Sequence, residues 1–144
     1  MVNASIAHAR LGEIGMAEKS LQKALKLMPD NAAANFNMGL LKAEKKKPKQ
    51  AEYYLKKALK ADPQMAQAAY NLCVITAKDR IGEAVTWCRK AAELAPQNPT
   101  YDYTLAFYLK QKGDKDEAVK TLEALLAKYP GYRDAESLLG ELSK

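Results

Sequence analysis

The phrase Ala58-Leu59-Lys60-Ala61-Asp62-Pro63 decides the fold. It returns as Ala24-Leu25-Lys26-Leu27-Met28-Pro29, as Ala91-Ala92-Glu93-Leu94-Ala95-Pro96 and as Leu125-Leu126-Ala127-Lys128-Tyr129-Pro130. The four prolines are 34, 33 and 34 residues apart. Proline disfavours helical geometry in the residue before it, so each phrase is a helix ending. A fixed period of this size is the mark of stacked supersecondary units, each too small to bury its apolar face alone.

Two helical patterns fit between successive prolines. In the second block, Phe36, Met38, Gly39 and Leu40 belong to a helix over about 32–45. Ala51, Tyr54, Leu55, Ala58 and Leu59 belong to the next, over about 48–61. Spacings of three and four put these residues on one apolar face. Pro48 falls in a first turn, where a missing N–H costs nothing. Turns are expected at Gly12-Glu13-Ile14-Gly15, Lys46-Lys47-Pro48 and Gly113-Asp114.

Small residues recur where the helices of a pair cross. The first helices carry Ser5, Gly39, Cys73 and Ala106; the second carry Ala17, Ala51, Ala84 and Ala118, then Ala24, Ala58 and Ala91. A bulky side chain there overpacks the crossing by roughly 1–3 kcal/mol. Leu125 breaks the last series, which predicts looser or altered packing in the final pair.

Asn35-x-x-Met38-Gly39, followed by Ala51-x-x-x-Leu55, Ala58 and Pro63, resembles a tetratricopeptide repeat. Leu105-Ala106, followed by Ala118-x-x-x-Leu122 and Pro130, does so too. The resemblance implies an all-α fold, a right-handed α-solenoid of four helix-turn-helix repeats plus a C-terminal helix. The repeats are 1–31 (incomplete at its start), 32–65, 66–98 and 99–132, in one array, with a final helix over 133–144 that has Gly140 in the small-residue place. The family's tryptophan is replaced by Asn35, Ala69 and Asp102, and its tyrosine by His8, Lys42, Thr76 and Leu109. The third repeat is one residue short near Lys78–Arg80. The cropped first helix and lone last one suggest a piece cut from a longer chain.

In the resembled family the first helix of each pair lines a concave groove. One groove column holds Asn3, Asn37, Asn71 and Thr104. A primary amide both donates and accepts, so evenly spaced asparagines suit the backbone of an extended peptide; the alternative is that they bond the neighbouring repeat. Flanking columns hold Val2, Phe36, Tyr70 and Tyr103, and Ile6, Leu40, Val74 and Phe107. Aromatic rings give rigid contact area of the kind found at interfaces. Arg10, Lys78 and Lys110 are the groove cations and favour an acidic segment. The clamp by which some family members hold a carboxylate tail needs basic residues where Val2, Phe36, Tyr70 and Asn71 stand, so no chaperone tail is expected.

The expected function is a scaffold for a protein or peptide partner. Two alternatives remain: self-assembly through the terminal helices, around Leu138, Leu139 and Leu142, or a regulatory segment of a larger protein, either an enzyme or part of a bacterial envelope complex. From Tyr101 onward the chain is weakly similar to repeats of some bacterial multihaem cytochromes, but it has no Cys-x-x-Cys-His. No cofactor, haem or metal site is expected from one histidine and two cysteines. Cys73 and Cys88 are expected as buried free thiols. Catalysis is not expected, because no phosphate loop, His-x-x-x-His pair or nucleophile elbow occurs.

The net charge of +6 is a mild bias toward acidic partners. The lysine run over Lys42–Lys49 reads as a solvated helix end, and it has no interleaved aromatics for nucleic acid. No run is long and apolar enough to span a membrane, and no secretory signal is visible. A cytoplasmic setting is expected, or a periplasmic one for a fragment of an exported parent.

Overall fold

The computed structural model describes the backbone from residue 2 to 144, and side chains from Gly12 onward. It holds helices α1 (Val2–Leu27), α2 (Ala32–Glu44), α3 (Pro48–Ala61), α4 (Ala66–Thr76), α5 (Ile81–Leu94), α6 (Pro99–Lys112), α7 (Lys115–Lys128) and α8 (Arg133–Leu142). No strand occurs among the described residues. The fold is an all-α solenoid of helical repeats. The chain forms two compact units, Met1–Pro63 and Gln64–Lys144.

The prolines act as read from the sequence. Helices α1, α3, α5 and α7 stop at Leu27, Ala61, Leu94 and Lys128, each two residues before its proline. Starts are set locally as well. The Asn31 side chain accepts from Ala34 N at 2.8 Å, and Asn98 accepts from Thr100 N at 3.1 Å. Both satisfy N–H groups that have no partner within the helix. Pro48 and Pro99 occupy first-turn positions. Gly113 ends α6 at φ 100°, a left-handed conformation that suits glycine.

In the first unit, Met38, Leu41, Ala51, Leu55, Ala58 and Leu59 are buried between α2 and α3. Helix α1 packs on α2, with Ile14, Leu21 and Leu25 half-buried. The turn expected at Gly12–Gly15 is absent, because α1 runs through it without a break. Glycine weakens a helix by only about 1 kcal/mol each, and the flanking Glu13, Met16, Ala17 and Glu18 are good helix formers. As a result Ala17 and Ala24 are exposed, although their repeat equivalents Ala51 and Ala58 are fully buried.

The lysine run is also not purely solvated. Lys42 is only 8% exposed, and its Nζ lies 2.5 Å from Glu18 Oε1. Lys45 Nζ lies 2.7 Å from Glu18 Oε2. Lys42 stands where the family prefers a tyrosine. Its alkyl stem fills that buried place while the ammonium reaches across to α1.

The second unit has one core, including Cys73, Ala84, Cys88, Ala106, Leu109, Ala118 and Leu122. Leu125 is inside it rather than at a loosened crossing. Cys73 and Cys88 are joined by a disulfide with Cα atoms 5.2 Å apart, so they are not free thiols. The small place at Cys73 and the apolar place at Cys88 meet directly at the α4–α5 crossing. In α8 the buried residues are Ala135, Leu138 and Leu142. Gly140 faces open space and is not the close-approach residue. Matching Leu138 and Leu142 to Leu105 and Leu109 moves the small place to Leu139, one residue earlier than the sequence suggested.

Candidate peptide-binding face

Within the second unit the candidate residues come from α4, α6 and α8. Helix periodicity places Tyr70, Asn71 and Val74 along one side of α4, with Lys78 in the turn that follows it, and Tyr103, Thr104, Phe107 and Lys110 along one side of α6. The leucines and alanines of the opposite sides hold these faces outward: Ala69, Leu72, Cys73 and Thr76 are buried under the first, and Leu105, Ala106 and Leu109 under the second. Thr76 is satisfied inside α4, since its hydroxyl donates to Leu72 O at 2.8 Å.

Aromatic rings join the two helices. Tyr70 stacks on Tyr101 with centroids 4.7 Å apart, and its hydroxyl lies 3.3 Å from Thr104 Oγ1. Tyr103 sits 6.4 Å from Phe107 and 6.1 Å from Tyr132, centroid to centroid. Phe107 also meets Tyr108 edge-on at 5.6 Å. Phe107 remains 36% exposed and Val74 44% exposed. Burial pushes the Tyr103 phenol above its ordinary value, helped by the negative charge of Asp134.

Charge sits at its edge. Lys110 Nζ lies 2.7 Å from Glu141 Oε2, which holds the Glu141 carboxyl below its usual range through that hydrogen bond. Lys78 is exposed in the turn after α4. Lys110 thus meets any ligand as half of an ion pair, which weakens the case for an acidic segment as the preferred partner.

The asparagine column is divided. Asn3 and Arg10 lie outside the residues whose side chains are described. Asn37 is exposed beside half-buried Phe36 and exposed Leu40. Asn71 Nδ2 donates to Gln67 O at 2.8 Å, one turn back on α4. This occupies a donor and leaves Oδ1 to accept. Thr104 is engaged by Tyr70. Tyr101, Tyr108 and Tyr132 were not among the residues read from the sequence. Tyr132 precedes α8, and Tyr101 and Tyr108 lie off the columns, so periodicity alone does not select them.

Among the described residues no group of three or more His, Cys, Asp or Glu is placed to hold a metal ion. No described helix is long and apolar enough to cross a membrane.

Two family models, both described as tetratricopeptide repeat, match the sequence. One covers residues 2–66 and 38–99, and the other covers 76–142. The chain belongs to the tetratricopeptide repeat family. No curated protein matches it. Among solved structures, the tetratricopeptide array is similar to a crystal structure of MamA, at 24% identity over 93% of this chain and 79% of that one, with a TM-score of 0.83. It is similar to YrrB, described as a TPR protein with an unusual peptide-binding site, at 25% identity over 97% and 73% of the two chains, with a TM-score of 0.81. PilF of Pseudomonas aeruginosa is similar at 21% identity over 98% and 65%, with a TM-score of 0.76. The family and the fold make this chain a protein-interaction repeat scaffold, with proteins or peptides as the partner class.

Proposed function

We propose that the second unit holds a peptide segment of a partner protein against the outward sides of α4 and α6. The observation that carries this reading is the exposed pair Val74 and Phe107, with Phe107 flanked by the Tyr103 and Tyr108 rings. Rings already packed against one another lose little freedom when a ligand covers them, which favours binding. An apolar or aromatic ligand side chain seats at Phe107. Asn71 Oδ1 accepts from a ligand N–H. The peptide-binding site named for YrrB supports the same class of ligand.

The test is selection from a phage-displayed library of random peptides. Peptides selected by the wild type should bind Phe107→Ser at least about tenfold more weakly, with helicity unchanged. Selected peptides that bind Phe107→Ser and Val74→Ser as tightly as wild type refute the assignment of this face.

A second reading, association of copies through α1, is favoured by the exposure of Met16 (73%) and Leu27 on that helix and of Met28 just after it. Sedimentation across a concentration series decides it: a monomer at every concentration rules it out.

A further inference from the structure

The disulfide occupies a place that the other helix pairs fill with an apolar contact. Gly39 of α2 faces Leu55 of α3. The equivalent positions in α6 and α7 are Ala106 and Leu122, both fully buried. In the pair α4–α5 the same two places are Cys73 and Cys88, both fully buried and covalently joined. Two thiols fill less space than a leucine against a glycine or alanine, so without the bond this crossing has the thinnest packing of the three.

We propose that the α4–α5 repeat is completed by oxidation, and that the protein works in a compartment where thiols are oxidised. Two independent features support it. The Cα separation of 5.2 Å falls where disulfides form without backbone movement. The bond also lies inside the core, out of reach of a reductant until the hairpin opens, which is the setting of a structural bond rather than a catalytic one. Such bonds persist in secreted and periplasmic proteins and are rare where glutathione keeps thiols reduced. In closing the bond, the two thiols lose two protons and two electrons. A disulfide co-reactant of the thiol–disulfide exchange type accepts them and leaves as a dithiol.

The consequence falls on α4. Cys73 lies between Asn71 and Val74 on that helix, so the bond fixes the helix that carries the candidate face. The inference does not depend on that face being a binding site, since its test reads the bond and the hairpin.

Protein purified from an oxidising compartment, such as the bacterial periplasm, is denatured and treated with a maleimide, with and without prior reduction. We expect no labelled thiol before reduction and two after it. In parallel, thermal melting is followed through Trp87, which adjoins Cys88 and is the chain's single tryptophan. Reduction should lower the midpoint by about 10 °C, as expected for removing a cross-link that closes a loop of this size. The double variant Cys73→Ala/Cys88→Leu restores the residue pair used by α6 and α7, and its midpoint should not respond to reductant. Two thiols labelled before reduction, or a wild-type midpoint that reductant leaves in place, overturns the proposal.

Discussion

Gly39 of α2 lies so close to Leu55 of α3 that a Cβ on the glycine would stand 2.8 Å from Leu55 Cγ and 3.3 Å from Ala51 O. The leucine end is flexible, but the Ala51 carbonyl belongs to the backbone of α3. Gly39→Ala therefore has to push the two helices apart or turn Leu55 out of its rotamer. The expected cost is roughly 1–3 kcal/mol, even though alanine is the better helix former. Urea unfolding measures it: a lower midpoint with an unchanged slope is expected, and a stabilised variant shows that the crossing is looser than described.

Gly140 predicts the opposite sign. It lies inside α8, and a Cβ there meets nothing within 4 Å. Gly140→Ala removes unfolded-chain entropy without a steric cost and should stabilise by about 0.4–1 kcal/mol. Placed at a close approach, as the sequence pattern suggested, the same change would destabilise. The sign alone thus fixes the register of α8.

Gly15→Ala tests the first helix in the same way. Gly15 lies within α1 and its added Cβ also meets nothing. The change should raise helical circular dichroism and stability. A loss of both would mean that the glycine serves a turn, as its neighbours Gly12-Glu13-Ile14 first implied.

These glycines show where sequence reading works and where it stops. The helix ends were legible because Pro29, Pro63, Pro96 and Pro130 act through local sterics, which need no knowledge of neighbours. The burial of Gly39, Cys73 and Ala106 was legible because four copies of one pattern reinforce each other. Gly12 and Gly15 misled, since a glycine turn is a preference of about 1 kcal/mol that flanking helix formers outweigh. The disulfide was missed because pairing needs two Cα positions, and a repeat shortened by one residue blurs facing directions. Of the candidate face, Phe107 and Val74 were legible from spacing. Tyr132 was not, because it comes after α7 in the chain, outside the repeat columns, and meets the Tyr103 ring only in the fold.

Asn35 was read only as a missing tryptophan, and the structure gives it a role. It is fully buried. Its Nδ2 donates to Pro29 O at 3.0 Å and to Asn31 O at 2.9 Å, tying the loop after α1 to α2. Asn35→Ala leaves two carbonyls without that donor and opens a void, so a loss of about 1–3 kcal/mol is expected. Hydrogen exchange should speed up first at residues 28–32, which the amide holds. Uniform exchange across the unit would argue that the loop does not depend on it.

Glu18 gives the acid dependence of the first unit. Hydrogen bonds from Lys42 and then Lys45 hold its carboxyl down to about 2, from an ordinary 4.5. The folded form therefore keeps its charge where the unfolded form has begun to protonate. The stabilisation is complete above pH 4.5 and is lost as the pH falls toward 2. Its size is limited to about 1 kcal/mol, since the pair borders solvent and screening weakens it. Glu18→Gln should accordingly be less stable than wild type at pH 7 by about that amount, and the difference should close between pH 4.5 and 2. Using the difference between the two proteins cancels the other carboxylates that titrate over the same range. High salt should shrink the gap at pH 7. A gap that persists at pH 2 would assign the role of Glu18 to packing rather than to its charge.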